Sequence, residues 1–263
     1  MKLKTTLLVS ALALSGAAFA QTKAPEPDFT VTGNASLNSD YRFRGFTQTD
    51  YGPAFQGGID IAHKSGFYVG NWNSNVLSPL YTGASLEMDF YGGYKGSFGD
   101  VGYDIGAIYY YYPKSGKSAP NSKIDNTEVY FGLSYGPVSG KLYYATSDYF
   151  DLMKFTPGAP STKGTTYLDL AASFDVGSGF ILGGHIGVLN LKNAGRYSGL
   201  GLATLPSTVT DYKVSVTKDL SGYGVTLAYV EASKRGYFTT GQAGVPAEGA
   251  GKGKLVLSVA KTF

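Results

Sequence analysis

Apolar and polar residues alternate along most of the chain after residue 28. Successive side chains of a β-strand point to opposite faces, so alternation over about ten residues predicts a strand with one apolar and one polar face. No helix is predicted after residue 20, because apolar residues do not recur at helical spacing and glycine interrupts nearly every segment. The pattern predicts twelve strands, at residues 29–45, 54–62, 67–76, 84–96, 101–113, 124–135, 141–150, 165–174, 180–191, 209–219, 223–233 and 252–263.

The connections between these strands are alternately short and long. Outer-membrane barrels show the same asymmetry, with short periplasmic turns and longer extracellular loops. We therefore predict an all-β fold over residues 29–263: a single transmembrane antiparallel β-barrel of about twelve strands, with both termini on the periplasmic side. The short connections are 63–66, 97–100, 136–140, 175–179 and 220–222, and the longer ones are 46–53, 77–83, 114–123, 151–164, 192–208 and 234–251.

The first twenty residues have the pattern of a secretory signal peptide. Lys2 and Lys4 form a positively charged start, residues 7–14 are apolar, and residues 18–20 read Ala-Phe-Ala, which is typical of a cleavage site. The apolar run is too short to span a bilayer as a helix. We expect residues 1–20 to direct export in a Gram-negative bacterium, and residues 21–28 to form a periplasmic lead-in to the barrel.

Composition and charge exclude several classes of function. The formal net charge is +3, and removing a signal peptide that holds two lysines and no acids lowers it to +1. A nucleic-acid partner is not expected, because such partners usually require a basic excess. The chain has no Cys, so disulfides and thiolate metal sites are not available. We expect no cofactor, no metal and no catalytic residues.

Arginine and aromatic residues alternate in the stretch SDYRFRGFTQT, at 39–49. An arginine facing lipid at the middle of the membrane costs about 2–4 kcal/mol, and a wet interior removes that cost. We therefore expect the arginines to point into the lumen and the aromatics to face outward. The same test along every strand predicts the pore-lining residues Asp40, Arg42, Arg44, Asp60, Glu87, Asp89, Asp104, Glu128, Lys141, Asp169, Asp211, Lys213 and Lys254, and the aromatic-girdle residues Tyr41, Phe43, Trp72 and Phe263.

The size of the lumen follows from the number of strands. Strands ~4.8 Å apart and tilted by about 40° give a twelve-stranded barrel a backbone diameter of about 24 Å, which leaves about 10–14 Å unless a loop folds inward. Such a lumen suits ions and small hydrophilic solutes. The basic candidates come from predicted strands 1, 7, 10 and 12, whereas five of the acidic candidates come from strands 2 to 6: Asp60, Glu87, Asp89, Asp104 and Glu128. These charges either create a field across the pore or pair with one another across the strands.

The C-terminal strand GKLVLSVAKTF carries Leu255, Leu257, Val259 and Phe263 on one face. An alternating strand that ends in Phe resembles the signal by which outer-membrane barrels are recognised by their assembly machinery. We expect that machinery, outer-membrane lipid and lipopolysaccharide to be partners. The oligomeric state is left open.

The block SDYRFRGFTQTDYGPAFQGGIDIAHKSGFYVGNWNSNV, at 39–76, resembles the N-terminal signature of the TorF-type porins, a bacterial family formerly described as conserved hypothetical proteins. The short turn at 63–66 and the terminal Phe263 also fit that family. The resemblance implies an outer-membrane barrel with channel activity. It implies no particular substrate and no particular site residues.

Two other functions remain as alternatives to a passive channel. The first is a structural or adhesive barrel whose lumen is closed by inward tyrosines such as Tyr110, Tyr112 and Tyr130. The second is a lipid-modifying enzyme, which would need a nucleophile, a histidine base and an orienting group within reach of one another. The chain has two histidines: His63 in a predicted turn, and His185 in the lumen without an evident serine partner. We therefore predict a non-enzymatic channel for ions and small hydrophilic solutes.

Overall fold

Twelve strands close into one antiparallel barrel, which confirms the predicted fold class. The computed structural model of the protein describes residues 27–116, 123–151, 160–194, 207–234 and 249–263. The predicted signal peptide therefore lies outside the described residues. The strands are β1 (Phe29–Asn38), β2 (Arg42–Phe43), β3 (Phe46–Thr47), β4 (Ala54–His63), β5 (Phe67–Asn75), β6 (Leu86–Phe98), β7 (Val101–Tyr111), β8 (Asn126–Tyr135), β9 (Val138–Ala145), β10 (Thr166–Gly177), β11 (Phe180–Asn190), β12 (Thr208–Leu220), β13 (Tyr223–Ala232) and β14 (Lys254–Thr262).

The barrel wall consists of β1 and β4 to β14, each paired with its neighbours in sequence. The first and last strands complete the ring, with Ala35 of β1 opposite Lys261 of β14. Beyond the end of β14, the backbones of Gly33 and Phe263 exchange two hydrogen bonds, of 2.7 and 2.9 Å. The sheet consequently has no open edge, and the backbone groups of each wall strand find partners on both sides.

Short turns lie at one end of the barrel, here called the turn end, and longer connections lie at the other, the loop end. The turn between β12 and β13 is an example of the short connections at the turn end. Leu220 pairs with Tyr223 across two residues, Ser221 and Gly222, whose φ angles are 56° and 84°. Positive φ at both central positions matches the right-handed twist of the flanking strands, which keeps the connection short.

The outer face of the barrel is apolar. Register places Val214, Leu257 and Ile105 on this face, and all three side chains are exposed. Among the described residues, the two helical segments are the 3-10 turns Ser78–Tyr81 and Tyr149–Asp151, and no helix is long and apolar enough to cross a membrane. The outward aromatic residues nearest the turn end are Phe29, Phe67, Phe98, Tyr135, Phe174, Phe180 and Tyr223, all of them exposed.

The first predicted strand is too long. β1 ends at Asn38, and residues 39–53, here called the inner hairpin, turn into the lumen. Within it the strands β2 and β3 pair across a two-residue turn formed by Arg44 and Gly45, with φ angles of 47° and 84°. Both residues have the positive φ that such a turn requires. The alternation continues past residue 38 because the inner hairpin is itself a β-ladder.

Candidate functional site

The inner hairpin is held in the lumen by a buried ion pair. Arg44 at its tip makes two hydrogen bonds to Glu128 of β8, Nη1 to Oε1 at 3.0 Å and Nη2 to Oε2 at 2.6 Å. The side chains are 5% and 1% exposed. Tyr110 donates to Glu128 at 3.2 Å, and Arg44 donates to Tyr149 at 2.9 Å. Parallel guanidinium–carboxylate hydrogen bonds fix both distance and orientation, so they hold the hairpin tip in one position against β8.

Aromatic rings surround the Arg44 guanidinium. Its carbon lies 4.3 Å from the ring centre of Tyr167, and the rings of Phe43, Tyr143 and Tyr149 lie within 5.4 Å. A cation near ring faces is stabilised by their negative electrostatic potential, more strongly where water is excluded. Burial raises the pKa of Tyr149 to about 12, so its hydroxyl remains protonated at neutral pH.

The base of the inner hairpin is organised by Asp40. Its carboxylate pairs with Arg42 Nε and accepts hydrogen bonds from Thr47 Oγ1 at 2.6 Å and Thr49 Oγ1 at 3.2 Å. All four side chains belong to the hairpin. These contacts span nine residues or fewer, so they shape the hairpin locally before it meets the wall.

Tyr41, Phe43 and Trp72 do not lie in an outer girdle, which corrects the prediction for these residues. Tyr41 is buried and packs edge-on against Trp72 with ring centres 5.5 Å apart. Trp72 faces the lumen, since it lies opposite Gly58 and Asp89 in a register where the outward positions are Ile59 and Phe90. The physical reason is that the inner hairpin folds into the lumen. Its aromatic side chains are buried there against other lumen-facing rings, and they do not contact lipid.

Two clusters of buried side chains lie in the loop-end half of the lumen. One contains Tyr41, Tyr81 and Tyr112, and the other contains Phe46 and Tyr149. Tyr41 donates to Glu87 Oε1 at 2.8 Å. Burial, together with the Glu87 carboxylate, raises the pKa of Tyr41 well above its usual value, so this hydroxyl stays a donor. The inner hairpin and its tyrosine neighbours therefore restrict the path through the barrel.

The turn-end half of the lumen contains a cavity of about 510 Å³. The tip of the inner hairpin, Arg42 to Gly45, forms its inner boundary, and its walls come from β6 to β13. Lys141 of β9 pairs with Asp104 of β7 at 2.7 Å, and Tyr68 donates to the same carboxylate at 2.6 Å. The cavity wall thus carries charged side chains among its apolar ones, inside a barrel with an apolar outer face.

His185 of β11 bridges two carboxylates on this wall. Its Nε2 lies 2.8 Å from Asp211 Oδ1, and its Nδ1 lies 3.2 Å from Asp169 Oδ1. Tyr167 donates to Asp211 Oδ2 at 3.1 Å. Both ring nitrogens thus face acceptors, an arrangement that a protonated imidazole satisfies by donating from each. The structure assigns this histidine to a charge network on the wall.

The register places the charged wall residues of the predicted pore-lining set on the lumen side. Oppositely charged members pair across strands, as Arg44 does with Glu128 and Lys141 with Asp104. This pairing favours the second interpretation of the charges over a field across the pore. The wall residues on the lumen side are Asp60, Glu87, Asp89, Asp104, Glu128, Lys141, Asp169, Asp211, Lys213 and Lys254, whereas Asp40, Arg42 and Arg44 lie in the inner hairpin.

The sequence analysis missed several lumen tyrosines that hold the charged groups. Tyr68 and Tyr91 donate to Asp104 and Asp60, and Tyr167 donates to Asp211. Their strand position could have identified them, since each alternates with outward residues. Phe263 lies on the outer face, with its ring over Gly33: a Cβ at Gly33 would come within 2.5 Å of the ring.

The solved structures that are similar to this barrel include a porin. NanC porin is 9% identical, covers 89% of this chain and 98% of its own, and superposes with a TM-score of 0.52. OccK5 of Pseudomonas aeruginosa is 13% identical, covers 90% of this chain and 67% of its own, and has a TM-score of 0.40. At this identity NanC porin shows a shared barrel fold.

None of the curated proteins matches this sequence. The family model for Gcw_chp, described as bacterial protein of unknown function, matches residues 22–263. The finer TorF-type assignment stays a prediction. The match covers nearly the entire chain, so the protein belongs to the Gcw_chp family of bacterial proteins of unknown function.

Proposed function

We propose that the protein is an outer-membrane, porin-like barrel through which ions and small hydrophilic solutes diffuse passively, along a path restricted by the inner hairpin. The observation that carries this proposal is a cavity of about 510 Å³, with charged side chains on its wall, inside a closed barrel with an apolar outer face. A barrel with these two faces suits lipid outside and water inside. No bond is made or broken in this function.

Single-channel recording tests the proposal. The full chain after residue 20, refolded and inserted into a planar bilayer, should produce discrete current steps. Reversal potentials in a salt gradient would then give the ion selectivity. A barrel that is folded by circular dichroism and inserts, yet carries no current, would contradict the proposal.

Two observations favour the alternative of a closed structural barrel. The buried clusters around Tyr41 and Phe46 occupy the loop-end half of the lumen. Burial of Arg44 against Glu128 indicates that little water reaches the hairpin tip. In a closed barrel the turn-end cavity would be a pocket open at one end. The planar-bilayer experiment would then record no current steps.

Membrane insertion makes a separate prediction about the two faces of β12. Val214 points outward and is 62% exposed, whereas Ser215 lines the cavity. Val214→Arg should lower the free energy of unfolding by about 2–4 kcal/mol, because the cation then faces lipid near mid-membrane. Urea titration in phosphatidylcholine vesicles measures this. Ser215→Arg adds the same side chain to the wet lumen, so the free energy of unfolding should fall much less. If both substitutions lower the free energy of unfolding equally, the outer surface does not face the membrane.

A further inference from the structure

A buried guanidinium nitrogen at the cavity lacks a partner. Arg42 of the inner hairpin pairs through Nε with Asp40, and its Nη1 donates to the carbonyl oxygens of Gly45 at 3.0 Å and Lys252 at 3.1 Å. Its Nη2 is buried and has no hydrogen-bond partner among the described residues. The Arg42 side chain is 5% exposed, and the residue lines the cavity. An unsatisfied charged donor is costly, so a partner from outside the chain would stabilise it.

Two lysines lie on the same part of the wall. In the register of β12, β13 and β14, Lys213 and Lys254 flank Val230, and all three residues face the lumen. Arg42 Cζ and Lys254 Nζ lie 4.8 and 4.9 Å from the ring centre of Tyr51. The two cations therefore meet at one aromatic ring of the inner hairpin.

Lys213 is available to a ligand. It is exposed inside the lumen, lines the cavity and has no ion pair within the described part of the chain. The nearby carboxylates are already engaged: Asp40 by Arg42, and Asp211 by His185 and Tyr167. Among the described residues, Arg42 and Lys213 therefore keep donors for a ligand, whereas Asp40 and Asp211 already have partners, which favours an anion.

We infer that the turn-end cavity binds a small organic anion, with a carboxylate held between Arg42 Nη2 and the Lys213 ammonium group. One free guanidinium nitrogen and one ammonium group supply donors for the two oxygens of a carboxylate. The cavity volume of about 510 Å³ lies in the usual range for small-molecule sites. The inference rests on the proposed function only in that solutes must enter the lumen from the turn end.

Gluconate and glucose form a matched pair of probes, similar in size and hydroxyl content but different in charge. Isothermal titration calorimetry on the refolded barrel in detergent should show gluconate binding and no glucose binding. Lys213→Gln should weaken gluconate binding about tenfold or more, because it removes a charged donor. Arg42→Gln should act in the same direction.

Lys218→Gln provides the control. Lys218 lies on the same strand, but it faces outward near the turn end, 4.2 Å from the Phe180 ring, so its loss should leave gluconate binding unchanged. Equal effects of the two lysine substitutions, or equal binding of gluconate and glucose, would overturn the inference. Binding of inorganic phosphate without gluconate would overturn the carboxylate assignment.

The outcome separates this inference from the proposed function. Gluconate binding by a barrel that is silent in the bilayer would support the site and contradict conduction. Current steps without gluconate binding would support conduction and overturn the site.

Discussion

Replacing residues 41–51 with a short glycine–serine linker is expected to raise single-channel conductance several-fold. In the intact protein this segment lies inside the lumen, where Phe46 and Thr47 are almost fully buried. A twelve-stranded barrel without an inward loop has a free lumen of about 10–14 Å, so removing the inner hairpin opens a much wider path for ions. Planar-bilayer recording of both proteins at the same salt concentration measures the ratio.

A control is needed to separate widening from damage. Lys64 lies in the turn between β4 and β5, at the turn end of the barrel, where it forms an exposed ion pair with Asp28. Lys64→Ala should therefore leave the conductance unchanged. Circular dichroism should show that the shortened protein keeps its β-sheet content. If that protein is folded but conducts no better than the intact chain, the remaining lumen side chains close the barrel and the structural alternative gains support.

Breaking the buried pair between Arg44 and Glu128 is expected to cause the largest loss of stability in the protein. Glu128→Gln leaves the Arg44 guanidinium buried without its counter-charge, which typically costs about 3–5 kcal/mol. This substitution should either lower the free energy of unfolding of the whole barrel or release the inner hairpin into solvent. Urea titration in vesicles detects the first response, and trypsin cleavage after Arg42 or Arg44 detects the second.

The exposed pair between Lys64 and Asp28 again gives a matched comparison. Its side chains are 65% and 60% exposed, and surface pairs contribute about 0–1 kcal/mol. Asp28→Asn should therefore change neither the urea midpoint nor the trypsin pattern by a measurable amount. If Glu128→Gln behaves like Asp28→Asn in both assays, the inner hairpin does not depend on this ion pair.

The strands of the wall could be predicted because their signal is local. In β8, for example, Val129, Phe131 and Leu133 face outward while Glu128 and Tyr130 face the lumen. This alternation follows from the geometry of any extended strand with two different environments. The tight turn at Ser221 and Gly222 could be predicted for a similar reason, since both residues adopt backbone angles that a two-residue turn needs. The predicted connection at 136–140 is too long, because β9 already begins at Val138.

The inner hairpin was missed because alternation does not say which environment each face meets. Tyr41 and Phe43 alternate with Arg42 and Arg44 whether the segment continues the wall or folds inward. In the lumen the aromatic face packs on Trp72 and other rings, so it is buried without lipid. The same two-faced pattern therefore fits both placements, and only contacts with distant strands separate them.

Alternation along the chain is enough to predict an all-β barrel with an apolar outer face and charged residues inside, because a period of two is a property of each strand alone. Contacts between distant strands place residues 39–53 inside the lumen and set which charges pair. Arg44 and Glu128 are 84 residues apart in the chain, and they meet because ring closure brings β8 opposite the inner hairpin. Such a contact depends on the whole register of the barrel, which no local pattern encodes.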